Sequence, residues 1–167
     1  MTSEFSGRVA FITGGASGLG RAAAQQLAAQ GALVVVADVQ PDLAESLVRE
    51  LTDNGAQAIA VACDVCDDRA VDVAVTATVA KFGRLDIAIN AAGIGGPEVK
   101  TAEYDPNDWN RVIDVNLNGV WRCMRHEIPA MLAAGGGAIV NVSSVAGLIG
   151  FPRHPAYAAS KDRKSVV

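Results

Sequence analysis

The sequence predicts an α/β fold, a doubly wound parallel sheet of about five strands with helices on both faces. Short apolar segments alternate with segments of helical length, at the spacing of strand–helix–strand units. One of them, Ala32–Ala37, contains no polar residue, which is typical of strands buried on both faces. Because crossovers between parallel strands are right-handed, the helices divide between the two faces. No linker or low-complexity segment interrupts the chain, so residues 1–167 are predicted to form a single domain.

The individual elements follow from composition and from the residues at their ends. Apolar and β-branched runs predict the strands, while glycine or proline marks several helix ends. The predicted strands are Arg8–Ile12, Ala32–Ala37, Ala58–Ala62, Leu85–Ile89 and Ala138–Val142. The predicted helices are Gly18–Gln30, a segment from Pro41 to Gly55, Asp67–Phe82, Pro106–Leu132 with an interruption near Pro129, and a last helix from Tyr157.

Composition excludes several classes of protein. The net charge is −4 and no basic run is present, so we expect no nucleic-acid partner. No apolar run reaches membrane length and the start lacks the pattern of a signal peptide, so we expect no membrane segment and a cytoplasmic location. Cys63 and Cys66 form a C-x-x-C pair, but the histidines His126 and His154 are distant in sequence. We interpret the pair as reduced thiols and expect no metal.

A glycine-rich turn joins the first strand to the first helix. Val9–Gly20 reads V-A-F-I-T-G-G-A-S-G-L-G. Such a turn points the N-terminus of a helix at the end of a strand, where an anionic phosphate is the natural ligand. Gly14, Gly18 and Gly20 are the candidate residues for the turn and for close approach of a diphosphate. The alternative is a glycine-rich turn that binds no ligand.

The second predicted strand is followed by an acidic residue, Asp38. At this position of a dinucleotide-binding fold a carboxylate accepts hydrogen bonds from the adenosine ribose and repels a 2′-phosphate. Val39 follows it, and the glycine turn carries no basic side chain. The sequence therefore favours NAD over NADP. The alternative is that Asp38 only caps the helix that begins at Pro41.

The motifs along the chain together resemble those of the short-chain dehydrogenase/reductase family. They are T-G-G-A-S-G-L-G at 13–20, Asp64-Val65, N-A-A-G at Asn90–Gly93, Asn116, Ser144, and Y-A-A-S-K at Tyr157–Lys161. The resemblance implies a Rossmann-like sheet with strand order 3-2-1-4-5. It also implies that Asp64 contacts the adenine amino group, that Val65 packs on the ring, and that Asn90 mainly steadies a neighbouring strand. The cofactor-binding residues implied are Gly14, Ser17, Gly18, Leu19, Gly20, Asp38, Val39, Asp64, Val65, Asn90, Ala91, Gly93, Tyr157 and Lys161.

The same resemblance implies a catalytic group of Asn116, Ser144, Tyr157 and Lys161. Tyr157 and Lys161 are four residues apart and so share one face of a helix. A nearby ammonium stabilises a phenolate, so Tyr157 would accept the alcohol proton while Lys161 also holds the nicotinamide ribose. Ser144 would bind the substrate oxygen and Asn116 a relay water. Ser143 and Asn118 are the neighbouring alternatives.

The substrate is less closely defined by the sequence. The small, apolar run Val145–Phe151 and the loop Gly95–Pro97 favour a secondary alcohol or ketone with an apolar body. His154 lies three residues before Tyr157 and is a candidate for substrate contact. Trp109 and Trp121 are interpreted as packing or subunit-contact residues, and the family resemblance implies a homo-oligomer.

The chain departs from the family pattern after the catalytic lysine. Residues 162–167 are all that follow Lys161, so we expect the family's last two strands to be lacking and Ala138–Val142 to be an exposed sheet edge. We also expect the Tyr157 helix to have little to pack against. The sequence therefore leaves two functions open: an NAD-dependent oxidoreductase, or a catalytically impaired nucleotide-binding module that associates with a partner.

Overall fold

A computed structural model describes residues 3–162 and contains a five-stranded, fully parallel sheet with the order β3-β2-β1-β4-β5. This confirms the predicted fold class and strand order. The strands are β1 (Val9–Thr13), β2 (Leu33–Asp38), β3 (Ala58–Ala62), β4 (Ile87–Asn90) and β5 (Ala138–Asn141). Their bounds lie within about two residues of those predicted.

Helices cover both faces of the sheet. They are α1 (Gly18–Ala29), α2 (Pro41–Asp53), α3 (Asp68–Phe82), α4 (Pro106–Ile113), α5 (Gly119–Ala133) and α6 (Pro155–Asp162). Because successive strand residues point to opposite faces, Ile12 packs with the helices α1 and α2 while Phe11 packs with α3 and α5. No helix within residues 3–162 is long and apolar enough to cross a membrane.

The long helix predicted over Pro106–Leu132 is interrupted, but not where the sequence suggested. A π-helical segment, Asp114–Asn118, separates α4 from α5, and Gly119 donates its N–H to the carbonyl of Asp114. Pro129 lies inside α5. It has no N–H to donate to the carbonyl of Arg125, yet the helix continues through it, on the surface of the protein. The prediction of an interruption near Pro129 was therefore wrong.

The last described helix also differs from its prediction. Helix α6 begins at Pro155 rather than Tyr157, since proline is well suited to the first turn of a helix. It packs against α4, the π segment and a short 3-10 helix at Val145–Gly147, so the expectation of little packing was wrong. Strand β5 pairs only with β4 among the described strands, and Val140 on it is 54% exposed.

The parallel register aligns the carboxyl ends of the strands. Thr13 at the end of β1 lies opposite Ala37 of β2 and Asn90 of β4, and Asn90 lies opposite Asn141 of β5. The loops that follow these strands therefore emerge at one edge of the sheet, where ligands bind in open α/β folds.

Candidate active site

A cavity of about 600 Å³ lies at the carboxyl ends of the strands, within the usual range for a small-molecule site. Most of the predicted cofactor residues line it, together with Tyr157 and Lys161. The predicted residues that line this cavity are Gly14, Ser17, Gly18, Leu19, Gly20, Asp38, Val39, Asp64, Val65, Ala91, Gly93, Tyr157 and Lys161. Asn90, Asn116 and Ser144 do not line it.

The glycine turn leaves no room for side chains at two positions. Gly14 has φ of 63°, and a Cβ there would lie 2.7 Å from the Cα and N atoms of Ala92. A Cβ on Gly20 would collide with the carbonyl group of Gly14. The turn can therefore approach its neighbours and a ligand only with glycine at these positions.

The N-terminus of α1 has donors available for an anion. Ser17 stands at the N-cap but makes no side-chain capping hydrogen bond, and the first turn contains no acidic residue. By contrast, Asp67 caps α3 and Asp105 caps α4. Free N–H groups and the positive end of the helix dipole favour a phosphate at this position.

Asp38 ties the glycine turn to the end of β2. Its Oδ2 accepts a hydrogen bond from the N–H of Ala16 at 3.0 Å, and its Oδ1 accepts one from the N–H of Gln40 at 3.0 Å. The side chain is 4% exposed yet lines the cavity. Each carboxylate oxygen has a second lone pair, so Asp38 can still accept the hydroxyl groups of a ribose.

The segment after β3 forms the next wall of the cavity. Asp64 accepts the N–H of Cys66 at 2.9 Å, and Val65 packs against Gly119, where a Cβ would lie 2.8 Å from Val65 Cγ2. Burial is the main cause that raises the pKa of Cys63 and of Cys66 to about 12, so both thiols stay protonated. Within residues 3–162 no group of three or more His, Cys, Asp and Glu side chains could hold a metal.

Tyr157 and Lys161 meet on the opposite wall. The Lys161 Nζ lies 5.5 Å from the centroid of the Tyr157 ring and donates to the carbonyl of Val142 at 3.1 Å. Lys161 is only 5% exposed, so water screens its interactions less than those of a surface lysine. Ser143 donates its hydroxyl to the backbone carbonyl of Lys161 at 3.0 Å, which fixes α6 to the end of β5.

The two candidate serines have different surroundings. Ser143 lines the cavity, whereas Ser144 does not. The Ser144 hydroxyl oxygen accepts the N–H of Ala146 at 3.2 Å and so caps the short helix at Val145–Gly147. A hydroxyl in this position keeps its proton available for a substrate oxygen. The substrate role of Ser144 stays a prediction, with Ser143 as its alternative.

Asn116 is fully buried within the π segment and connects three parts of the chain. Its Oδ1 accepts the N–H of Ile94 at 2.8 Å, and its Nδ2 donates to the carbonyl of Ile94 at 2.9 Å and to Ser160 Oγ at 3.0 Å. Asn118, the alternative, donates only to Asp114 and is exposed. Asn116 thus holds the loop after β4 against α6.

A buried polar group lies where β4 and β5 end. Asn90 is 1% exposed, and its Nδ2 donates to Glu127 Oε2 at 3.1 Å and to Asn141 Oδ1 at 3.0 Å. The second carboxyl oxygen of Glu127 is buried without a hydrogen-bond partner among the described residues. Burial raises the pKa of Glu127 to about 7. Asn90 thus joins neighbouring strands, as the resemblance implied.

One segment near the site has a strained backbone. Arg153 has φ of 63° and is the only residue other than glycine with a positive φ in residues 3–162. The left-handed conformation costs a residue with a side chain roughly 1–2 kcal/mol. Arg153 lies just before α6, between Phe151 and Tyr157, whose ring centroids are 6.3 Å apart. Strain of this kind is most often found near functional sites.

The sequence did not reveal every residue of the cavity. Some of the remaining residues continue a motif that was recognised, as Ile94 and Gly95 follow Asn90–Gly93. Arg111 and Val115 lie four apart on α4 and the π segment, so helical spacing alone could have grouped them. The lining residues outside the predicted cofactor and catalytic sets are Gln40, Cys63, Cys66, Ala92, Ile94, Gly95, Arg111, Val115, Val142 and Ser143. Of these, Gly95 belongs to the predicted substrate loop, and Ser143 is the named alternative to Ser144.

Curated relatives share sequence with nearly the whole chain. Cyclohexanol dehydrogenase of Acinetobacter sp. (strain SE19) is 45% identical over 161 residues, or 96% of this chain. Cis-4-hydroxycyclohexanecarboxylate dehydrogenase of Sinomonas cyclohexanicum is 43% identical over 161 residues. The chain spans 64% of the length of each of these relatives.

Solved structures share the fold. A short-chain dehydrogenase/reductase from Burkholderia phymatum in complex with NAD is 39% identical, with a TM-score of 0.91 over 95% of this chain and 57% of that one. A metagenomic short-chain oxidoreductase in complex with NADP is 36% identical, with a TM-score of 0.89 over 94% of this chain and 71% of that one. A family model described as short chain dehydrogenase matches residues 8–163.

Proposed function

Since this chain belongs to the short-chain dehydrogenase family, we propose that it is an NAD-dependent oxidoreductase that interconverts a secondary alcohol and a ketone by hydride transfer. One observation carries this proposal: the glycine turn, Asp38, Tyr157 and Lys161 all line one cavity. A phosphate-binding turn and a tyrosine–lysine pair in separate places would support neither hydride transfer nor a shared ligand. Their convergence provides a dinucleotide site and a proton-transfer group together.

The residues present fit a bound dinucleotide. The turn at Gly14–Gly20 and the uncapped start of α1 suit the diphosphate, and Asp38 suits the adenosine ribose. Because the carboxylate of Asp38 would repel a 2′-phosphate, we propose NAD rather than NADP as the cofactor. Asp64 and Val65 would hold the adenine, and Lys161 the nicotinamide ribose. When bound, NAD⁺ supplies the carbon that accepts the hydride.

The chain itself supplies proton transfer and orientation. In the oxidation direction Tyr157, as a phenolate, accepts the hydroxyl proton of the alcohol, and in the reduction direction its phenol returns that proton to the oxygen. Lys161, whose Nζ lies 5.5 Å from the centroid of the Tyr157 ring, would hold the nicotinamide ribose beside the tyrosine. Ser144 would hold the substrate oxygen, while Asn116 fixes the position of α6 through Ser160.

The substrate we propose is a secondary alcohol with an apolar body. The segment beside Tyr157 exposes large apolar side chains, with Leu148 at 86%, Ile149 at 60% and Phe151 at 41%. Two relatives are named for cyclohexanol and for a hydroxycyclohexanecarboxylate, both ring-shaped alcohols. Exposed apolar side chains next to Tyr157 suit the apolar body of such a ring.

We also propose that the chain forms a homo-oligomer. Helix α5 exposes Trp121 (56%), Ile128 (44%) and Leu132 (70%), whose spacing of seven and four residues places them on one face of the helix. Light scattering of the purified chain should give a mass above 17.2 kDa. A clean monomer at micromolar concentration would contradict this part of the proposal.

A panel of cyclic and acyclic secondary alcohols tests the activity. The formation of NADH from NAD⁺ and, in parallel, of NADPH from NADP⁺ is followed for the wild-type chain and for Tyr157→Phe. We expect turnover with at least one cyclic alcohol, a preference for NAD⁺, and a loss of about 10³-fold in kcat for the variant. Tyr104→Phe is the matched control, because Tyr104 lies outside the cavity.

Two other results would change the conclusion. NADH binding without turnover of any alcohol or ketone in the panel would favour the alternative of a nucleotide-binding module. Failure to bind either dinucleotide would contradict both functions.

A further inference from the structure

The loop after β4 and the start of α6 are joined through Arg153. The guanidinium Nε of Arg153 lies 3.2 Å from Glu98 Oε1, and another of its nitrogens donates to the backbone carbonyl of Glu98 at 3.3 Å. The carbonyl of Arg153 in turn accepts the N–H of Val99 at 2.9 Å. We call these contacts of Arg153 with Glu98 and Val99 the Arg153 clasp.

The clasp exists although the backbone of Arg153 is unfavourable. Its φ of 63° is one that glycine adopts freely and an arginine does not. Unlike glycine, arginine has a side chain with a planar fork of donors, which reaches both a carboxylate and a carbonyl of the facing loop. The strained residue is thus the one that makes the contact between the two segments.

The loop after β4 and the residues before α6 are each connected to members of the candidate catalytic group. On one side, Ile94 at the start of the loop is held by two hydrogen bonds to Asn116. On the other, His154 follows Arg153, and its carbonyl accepts the N–H of Ala158 in the first turn of α6. Tyr157 lies in that same turn. A shift of the clasp would therefore move the loop and the tyrosine relative to each other.

The clasp lies away from the glycine turn and Asp38, the part of the cavity proposed to bind the adenosine and here called its adenosine half. Neither Glu98, Val99 nor Arg153 lines the cavity, and none of them contacts the glycine turn or Asp38 through a hydrogen bond. Its loss should therefore change the placement of Tyr157 without changing the binding of the nucleotide.

We propose that Arg153 is a positioning residue, which holds the loop 94–99 against the N-terminus of α6 and so sets the position of Tyr157 over the cavity. The inference rests on the proposed function, because it assigns Arg153 a role in that hydride transfer. The side chain acts through the backbone of α6 and does not touch the reacting atoms.

The variant Arg153→Gly distinguishes a role of Arg153 in positioning Tyr157 from a role in the stability of the fold. Glycine removes the side-chain contacts and also relieves the backbone strain, so the melting temperature should stay the same or rise. We expect kcat to fall about tenfold, with the KM for NAD⁺ within about twofold of wild type. Arg153→Lys keeps the positive charge but not the planar fork of donors, and its kcat should lie between those of the wild type and Arg153→Gly.

Hydrogen exchange tests the clasp independently of turnover. In Arg153→Gly the amide of Val99 and the amides of α6 should exchange about tenfold faster than in wild type, while those of α1 stay unchanged. The matched control is Lys100→Gln, which removes the neighbouring exposed ion pair with Glu103. It should leave both the exchange rates and kcat unchanged.

The possible outcomes distinguish the two proposals. Unchanged exchange at Val99 and α6 in Arg153→Gly would overturn the clasp, and so would a loss of kcat matched by a lower melting temperature. If the wild-type chain binds NADH but turns over no substrate, the proposed function fails. The exchange rates alone then decide whether Arg153 holds the loop against α6.

Discussion

The two halves of the cavity are held in place by different parts of the structure. The adenosine half, with the glycine turn and Asp38, is built directly on the ends of the buried strands β1 and β2, and its glycines contact backbone. The catalytic half, with Tyr157 and Lys161, lies on the short helix α6, which side chains such as Asn116 and Ser143 connect to the rest of the chain. The first half depends mainly on close approach of backbone segments, with Asp38 as a side-chain tie to the glycine turn, and the second depends on long-range side-chain contacts. Substitutions should therefore affect nucleotide binding and proton transfer separately.

The largest effect is expected in the glycine turn. A Cβ on Gly20 would collide with the carbonyl group of Gly14, whereas a Cβ on Gly18 meets no atom within 4 Å. Gly20→Ala should lower the free energy of unfolding by roughly 4 kcal/mol and abolish NADH binding. Gly18→Ala carries only the penalty of its positive φ, roughly 1 kcal/mol, and is the matched control for the free energy of unfolding. Chemical denaturation and NADH titration check both variants; equal behaviour of the two would contradict the backbone account of this half.

A pH-dependent effect is expected at Glu127, which lies on α5 outside the cavity and accepts a hydrogen bond from Asn90 at the end of β4. Burial raises its pKa from the ordinary 4.5 to about 7 in the folded chain. The folded state therefore binds this proton more tightly than the unfolded state, so the free energy of unfolding falls as the pH rises from about 4.5 to about 7. Above pH 7 the buried carboxylate is charged, with only Asn90 donating to it among the described residues.

Glu127→Gln removes this charge and keeps an oxygen that can accept from Asn90. We expect it to raise the free energy of unfolding above pH 7 by up to about 3 kcal/mol and to flatten the pH dependence between 4.5 and 7. Denaturant titrations across that range measure the effect. Glu103→Gln, at a side chain that is 64% exposed, should leave the pH profile unchanged. An unaltered profile in Glu127→Gln would show that the carboxyl is ionised in the folded chain at every pH tested.

The catalytic half should respond to the loss of Asn116. Asn116→Ala leaves the backbone groups of Ile94 and the hydroxyl of Ser160 without their partner, which should lower the free energy of unfolding by about 2 kcal/mol. We expect kcat to fall further than the affinity for NADH. Asn118 lies in the same π segment but is exposed, so Asn118→Ala should change neither kcat nor the affinity for NADH. If NADH affinity and kcat fell together in Asn116→Ala, the two halves would not be independent.

The smallest effect concerns the choice of cofactor. Asp38→Asn removes the negative charge and one of the two acceptor oxygens, so the affinity for NAD⁺ should fall about tenfold, or about 1.4 kcal/mol. The affinity for NADP⁺ should be unchanged or higher, because the repulsion of the 2′-phosphate is lost. Asp42→Asn is the control, since Asp42 lies in the first turn of α2 and does not line the cavity. Equal losses for both dinucleotides would contradict the proposed role of Asp38.

The contrast between the halves also explains what the sequence could predict. Apolar runs such as Ala32–Ala37 and the glycine turn are local signals, so the strands and the position of the turn were predicted within about two residues. The strand order came from the resemblance to the family. The contacts of the catalytic half join residues far apart in sequence. Asn116 with Ser160, and Ser143 with the carbonyl of Lys161, leave no periodic pattern that a sequence could reveal.

Local conformation explains most of the remaining differences. The π segment Asp114–Asn118 changes the hydrogen-bond spacing without a proline or glycine to mark it, so the interruption was placed at Pro129 instead. The positive φ of Arg153 occurs at a residue type that does not predict one. Both features depend on tertiary packing rather than on intrinsic preference.

Calorimetric titration of AMP into the wild-type chain and into Lys161→Met tests the independence of the adenosine half most directly. Methionine keeps the apolar stem of the lysine but removes the ammonium that bonds to Val142. The account predicts that AMP binds both proteins with Kd values within about twofold, because Lys161 belongs to the other half of the cavity. Loss of AMP binding in Lys161→Met, or no binding to the wild-type chain, would contradict it.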